Sequence, residues 1–360
     1  MYFNTEKLLI DVFDPQAGER VVVMHDLPHD EIADNGAWRE RRQMAAEWRT
    51  ALQQLGERRG FEVLELFTFP ATGANNSDLP KVGQLGHEQR PVAEVLDAVT
   101  LALALTEYSA TAPLAVFAEA RADFRAASMP GVLKRMEQTA LSADYREVAR
   151  RCQAIHERML GAERCEVSFS TGHTCRFDLR HREPEVDDGF LPRFKEGDRI
   201  INLPSGETFE VPYEGELDGV PSHTSGTIPV DADGETILFQ VAANRVIAVD
   251  GEGAGAARFR TLFEEDPARA NIAELAFGVN DKAVISGVVL EDEKAGFHWA
   301  FGRSDHLGGV FGVERFASPA TVLHQDIVYA RGQRIQVERA VLHHPDGRTV
   351  DIIVAGEYVV

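Results

Sequence analysis

Along the first part of the chain the apolar positions change period several times. Arg20-Val21-Val22-Val23-Met24-His25 is a short β-branched run of the kind that fills a strand buried on both faces. Over residues 37–56, Met44, Trp48, Leu52 and Leu55 fall on one helical stripe, with Gly56 and Gly60 as stops. Phe61–Phe67 alternates and returns as a strand, and Asn75-Asn76-Ser77-Asp78 with Pro80 is a loop. Asp97–Leu105 reads as a strand because Thr106–Pro113 breaks it before a helical Leu114–Phe124. Arg125–Met129 adds a short strand, and helical pattern resumes to about residue 160. Strands alternating with helices predict a mostly parallel, Rossmann-like sheet over residues 1–160.

From residue 165 the pattern changes to short strand-like segments divided by Gly, Asp and Pro turns. They are Cys165–Ser170, Thr174–Leu179, Phe209–Pro212, Thr236–Ala242, Arg245–Val249, Val284–Leu290, Gln333–Leu342 and Thr349–Ala355. Residues 161–360 are therefore expected to form a β-rich second domain. The fold class that follows is α/β, a Rossmann-like N-terminal α/β domain and then a β-rich α+β domain.

Composition narrows the function. The first strand ends in His25-Asp26-Leu27-Pro28, with no glycine to cradle a phosphate, so a nucleotide is not expected there. A formal net charge of -21 argues against a nucleic-acid partner and suits a cation site or a cationic substrate. No apolar run is long enough to span a membrane, and the Met1-Tyr2-Phe3-Asn4 start lacks a basic-then-apolar secretory order. Cys152, Cys165 and Cys175 have no paired spacing, which points to a reducing compartment and a cytoplasmic protein.

Candidate chemistry gathers in the second half. The alternation in Val322–Tyr329 reads as a strand, so His324 and Asp326 emerge on one face, an imidazole and a carboxylate for one cation. Upstream, Asp292-Glu293-Lys294-Ala295-Gly296-Phe297-His298 places Glu293 in a turn ahead of a strand that carries His298. Glu207 follows a Pro/Ser/Gly turn at the mouth of a strand. Glu274 sits inside the apolar run Ile272–Val279, where it is ion-paired, metal-bound or on an exposed face. Together these make two imidazoles and four carboxylates, the ligand count of a two-metal hydrolytic site with cations about 3.5–4 Å apart. Two imidazoles and one carboxylate alone would serve a mononuclear facial triad. His223 reads as a solvated loop residue, metal binding is not expected of His343-His344 in a turn between two strands, and His173 after Gly172 is given no role.

Four blocks carry a resemblance: Asn202-Leu-Pro-Ser-Gly-Glu207, Ala273-Glu274-Leu-Ala-Phe-Gly-Val-Asn280, Asp292-Glu293-Lys-Ala-Gly-Phe-His298 and His324-Gln-Asp326. In that order they resemble the aminopeptidase T family of dinuclear metallo-aminopeptidases, over the C-terminal two-thirds of the chain. Thr106–Thr111, Ser128–Gly131 and Ser170–Gly172 before Asp178 are further landmarks, while the first 90 residues match nothing recognisable. The resemblance implies that Glu207, Glu274, Glu293, His298, His324 and Asp326 ligate two divalent cations, with zinc, cobalt, manganese or magnesium as candidates. It implies a peptide or small-molecule substrate, Glu274 as the group that moves the proton, and a homodimer.

The chain departs from that family at one position. The family's tyrosine, seven residues after the histidine of the Glu-x4-His block, is replaced here by Asp305, followed by His306. An ionised carboxylate cannot donate to an oxyanion; His306 can take its place as donor if the loop is one residue out of register. Losing such a donor costs on the order of 10²–10³ in rate. Two alternatives follow: a mononuclear iron(II) ring-cleaving dioxygenase of the dihydroxypyridine type, with His298, His324 and Asp326 as its triad, or a catalytically inactive relative.

Overall fold

The computed structural model describes residues 3–197 and 199–360. The chain forms two compact units, each assembled from separate segments. The first contains residues 1–150, 187–206 and 280–294; the second contains residues 151–186, 207–279 and 295–360.

In the first unit the strands Ile200–Asn202, Arg125–Ser128, Leu101–Ala104, Arg20–Leu27 and Phe67–Pro70 lie side by side in that order and run parallel. The antiparallel hairpin Val82–Leu85/Glu88–Pro91 extends one edge. Arg20–Leu27 is central, and Val21, Val22, Val23 and Met24 are fully buried, as a run without alternation requires. The helix Gly36–Arg59 buries Trp38, Met44, Trp48, Leu52 and Leu55. Asn35 caps its start by accepting from the Trp38 N–H, and Gly60, at φ 82, ends it. Arg125 and Glu19 form an ion pair with no exposed surface on either side chain.

Three sequence expectations are adjusted here. The Phe61–Phe67 segment is broken into Glu62–Val63 and Phe67–Pro70. The strand expected over Asp97–Leu105 is Leu101–Ala104, after a short helix Val92–Asp97. Val284–Leu290 is not a strand but a turn leading into the helical turn Val289–Asp292. There Asp292 accepts from the backbone N–H groups of Ser286 and Gly287, and Val284, Ile285 and Val289 stay 42%, 41% and 57% exposed. Side-chain capping of that turn prevails over a β-branched pattern that has no core to cover.

The second unit holds two sheets. The first consists of Glu207–Glu210, Ile272–Gly278, Gly296–Gly302 and His324–Ala330, antiparallel in that order, with a short strand from Glu185 at the far edge. The second is an eight-stranded sheet that includes Ser225–Ala232, Thr174–Asp178, Arg164–Phe169 and Val337–His343. Aromatic side chains join them: Phe169 packs on Tyr329 at a tilt of 47° with centroids 5.1 Å apart, and Phe239 meets Trp299 edge-on at 5.9 Å. Trp299 donates to the Tyr329 hydroxyl (3.1 Å), which donates to the Pro229 carbonyl (2.8 Å), so the buried polar tips of both rings are satisfied. No helix among the described residues is long and apolar enough to cross a membrane.

Candidate metal centre

The register of the four-strand antiparallel block decides which side chains share a face. Glu207 opposes Gly278, Ala276 opposes His298, Glu274 and Asp326 both oppose Ala300, and Gly302 opposes His324. Directly paired residues point the same way, so Glu207, Glu274, His298, His324 and Asp326 stand on one face. Apart from Val328, which opposes His298 on the edge strand, their opposite numbers there are glycine or alanine, which leaves room above the strands. Trp299, Phe301 and Tyr329 alternate to the other face and build the core.

Gly302 is where strand geometry is tightest. Its φ is 109, and a Cβ there would lie 2.1 Å from the Leu323 carbonyl oxygen. Only glycine lets the His298 and His324 strands approach at this point.

The five groups form a chain of contacts. His298 Nε2 lies 3.4 Å from Glu207 and 3.7 Å from Glu274. His324 Nε2 lies 3.1 Å from Glu274 and 3.6 Å from Asp326. Ligand atoms of Glu274, His298 and Asp326 lie within 4.8 Å of one another, a set that could hold a metal ion. Each imidazole also meets a backbone carbonyl through its other nitrogen: His298 Nδ1 faces Gly296 at 3.2 Å, and His324 Nδ1 faces Arg303 at 2.7 Å. A carbonyl accepts only, so Nδ1 carries a hydrogen and Nε2 is the nitrogen turned to the carboxylates, protonated toward them in the absence of a cation and free to offer a lone pair to a cation that displaces that proton.

The donor set fits divalent cations. His298 Nε2 is buried and has no hydrogen-bonding partner among the described residues. Burial pulls the His298 imidazole down, but Glu274, Glu207 and Asp326 outweigh it and push it up to about 9. His324 is likewise raised by Asp326 and Glu274 against burial. Burial raises the Glu274 carboxyl, and the two imidazoles hold it well below the usual range. Without a cation this face recruits protons onto its imidazoles. A cation supplies that charge and displaces them.

The other predicted site residues are placed as follows. Asp305 turns to Arg303 in a two-pronged ion pair of 2.5 and 3.1 Å. His306 packs edge-on against His324, with ring centroids 5.0 Å apart. Burial, then the neighbouring His324 and Arg303, lower His306 to about 4, so at neutral pH it is an uncharged imidazole that still carries an N–H. Glu293 belongs to the first unit, where its carboxylate pairs with Lys294 at 2.7 Å.

Two carboxylates escaped the sequence reading. Glu214 has a side chain only 2% exposed and organises the loop that carries His306. It accepts from Asn271 (2.7 Å), from the Ser304 hydroxyl (2.6 Å) and from the Val310 N–H (2.6 Å). Its partners are distant in sequence, so no local pattern marks it. Glu210, three residues after Glu207, is 2% exposed, and neither of its oxygens is hydrogen-bonded among the described residues. Strand alternation, applied from Glu207, places it on the core side, and that signal was available.

No protein-family profile matches this sequence, nor does any curated protein. Two solved structures share the fold over 99% of this chain. One is 2,5-dihydroxypyridine dioxygenase from Pseudomonas putida KT2440, at TM-score 0.63 and 16% identity over 96% of that chain. The other is wild-type AmpT from Thermus thermophilus, at TM-score 0.55 and 14% identity over 98% of that chain. Both support the α/β class; neither identity reaches beyond the fold.

Proposed function

We propose that this protein is a metal-dependent hydrolase that removes N-terminal residues from peptides. The observation that carries the reading is the donor set: three carboxylates and two imidazole Nε2 atoms on one face of one sheet, with both Nδ1 atoms committed to carbonyls. Three carboxylates suit two divalent cations, because a single ion with a two-imidazole, one-carboxylate triad leaves two acidic groups without work. Bound there, the cations supply Lewis acidity for a water and for the scissile carbonyl.

The chain's own groups do the rest. The carboxylate face attracts the substrate's N-terminal ammonium. Glu274, at the centre of the contact chain, takes a proton from the attacking water and returns it to the leaving amine. His306, neutral beside His324, donates its N–H toward the oxyanion in the role that Asp305 cannot fill. Arg303 keeps Asp305 turned aside.

A second reading has its own support. The dioxygenase shares the fold at the higher TM-score, and the oxyanion-donating tyrosine is absent. His298, His324 and Asp326 would then hold one iron(II).

Metal content separates the two. Elemental mass spectrometry on untagged protein purified without chelator is expected to find about two zinc, cobalt or manganese ions per chain, with metal-dependent turnover of aminoacyl-arylamides. One iron per chain, with no arylamide turnover, would overturn the hydrolase and establish the oxygenase reading.

A further inference from the structure

The strand bearing His324 and Asp326 is the last of its sheet. Arg303 donates its backbone N–H to the Leu323 carbonyl at 2.7 Å, which fixes the phase of the antiparallel ladder. Residues 325, 327 and 329 then bond inward, and the N–H and C=O groups of 324, 326, 328 and 330 point to the outer edge. At Ala330 those outward groups are taken: its N–H donates to the Gln333 side chain (3.0 Å), and its carbonyl accepts from the Gln333 N–H (3.2 Å). A turn therefore closes the far end of the edge. Between that turn and Asp326 lies a cavity of about 320 Å³, lined by Asp326, Ile327, Val328 and Tyr329 on the strand side and by Asp231 and Arg334 opposite.

Two features give this groove a direction. At one end stands Asp326, a member of the carboxylate face. In the other wall stands Arg334, which is exposed and makes no ion pair or hydrogen bond among the described residues. Asp231, the acidic group beside it, is turned into its own hairpin, where one oxygen accepts from the Gly234 N–H at 2.9 Å. An unused guanidinium in a chain of net charge -21 is suited to an incoming carboxylate.

Building on the hydrolase reading, we propose that the outer edge of His324–Ala330 and Arg334 form the substrate groove, and that its occupant is a short peptide with a free C-terminal carboxylate. The peptide lies extended along the edge and bonds to the outward groups of Asp326 and Val328, in the manner of a strand added to a sheet. Its amino end meets the carboxylate face, and its terminal carboxylate meets Arg334. Asp326 to Ala330 spans about 13 Å at roughly 3.3 Å per residue, which accommodates three or four residues. The cavity volume, at the low end of ligand pockets, agrees with that length. Arg334 is thus a specificity-determining residue: it selects oligopeptides with a free C-terminus over proteins and over blocked peptides.

The test uses the full-length, metal-loaded chain and three probes: leucyl-glycyl-glycine, the same tripeptide as its C-terminal amide, and a leucine arylamide. The wild type is expected to show a KM for the acid about tenfold or more below that for the amide. In Arg334→Ala the KM for the acid rises by about tenfold to a hundredfold, the worth of one charge-assisted contact. The acid/amide preference then disappears, and Arg334→Lys restores part of it. Equal KM values for acid and amide in the wild type, or an Arg334→Ala effect equal on all three probes, would overturn the groove and leave the hydrolase standing. No turnover of any probe overturns the hydrolase. Titration calorimetry with the tripeptide acid then judges the groove alone: binding that Arg334→Ala abolishes sustains it, and binding indifferent to that change refutes it.

Discussion

Replacing Glu214 tests whether the loop after His298 is held in place for function. The carboxylate is almost fully enclosed and accepts three short hydrogen bonds, from Asn271, Ser304 and Val310. In Glu214→Ala, Asn271 keeps the Gly302 carbonyl at 3.0 Å as a second acceptor and Arg182, 3.4 Å from Glu214, keeps Glu216, but the Ser304 hydroxyl and the Val310 N–H lose theirs. Each hydrogen bond to a charged acceptor is worth about 1.5–3 kcal/mol, so the substitution costs about 3–6 kcal/mol, toward the lower end where water reaches the loop. For a unit of this size that lowers Tm on the order of 10 °C. Glu214→Gln keeps one oxygen for Asn271 and Ser304 but turns an NH2 against the Val310 N–H. It should cost about one such bond, roughly 1.5–3 kcal/mol. Calorimetry gives the stability change, and hydrogen exchange at Val310 and Phe311 shows whether the loss is local to the loop. Because His306 rides on this loop, kcat is expected to fall by about 10²-fold, the lower value for one oxyanion donor, while KM moves little. Unchanged exchange at Val310 together with unchanged kcat would refute the argument.

Two further outcomes follow from single residues. Gly302→Ala puts a methyl 2.1 Å from the Leu323 carbonyl oxygen at a φ of 109, so it should cost several kcal/mol, on the order of 3 or more. Metal retention should fall with it, since the strands bearing His298 and His324 are forced apart; a stable Gly302→Ala with full metal content would contradict that packing. Glu210→Gln should be more stable than the wild type at neutral pH. Burial, then the nearby Glu183, raise the Glu210 carboxyl well above its usual range against a smaller opposing effect of Arg182. The folded state thus holds a proton that the unfolded chain releases, and its stability falls as pH climbs from the usual carboxylate range through the raised folded value. Glutamine has no such dependence, so the Tm difference between variant and wild type should widen from pH 4 to pH 7; a constant or narrowing difference rules the account out.

How far the site was legible depended on the range of the interactions that build it. Period-two alternation within Val322–Tyr329 was enough to bring His324 and Asp326 to one face, because strand geometry is local. That Glu207 and Glu274 share this face with His298 depends on the registers Glu207 to Gly278 and Ala276 to His298, and a register is a long-range choice that no window of the sequence reports. The same limit hid Glu214, whose partners lie 57, 90 and 96 residues away. The parallel strands of the first unit were readable where they are buried on both faces, as in Val21–Met24. Val284–Leu290 misled because β-branched content imitates a strand wherever a turn is held by side-chain caps.

Glu207 and Glu210 make the argument for a metal centre sharper than burial alone can. They lie on one strand, three residues apart, and both are nearly sealed from solvent, at 7% and 2% exposure. Alternation sends them to opposite faces. On the core face Glu210 finds no hydrogen bond among the described residues, and its carboxyl escapes the cost of burial by keeping its proton. On the other face Glu207 stands 3.4 Å from an imidazole whose second nitrogen is fixed by a backbone carbonyl. A buried carboxylate is therefore no sign of a cation site in this protein. The sign is the pair of imidazoles whose Nε2 atoms are aimed at the carboxylates, and an apolar substitution at each glutamate separates the two cases: Glu210→Leu removes an unsatisfied polar group and should stabilise by about 1–3 kcal/mol with metal content unchanged. Glu207→Leu should leave His298 facing one carboxylate fewer and lower the metal retained on dialysis. If both substitutions changed metal content alike, the division of the strand into a core face and a ligand face would be wrong.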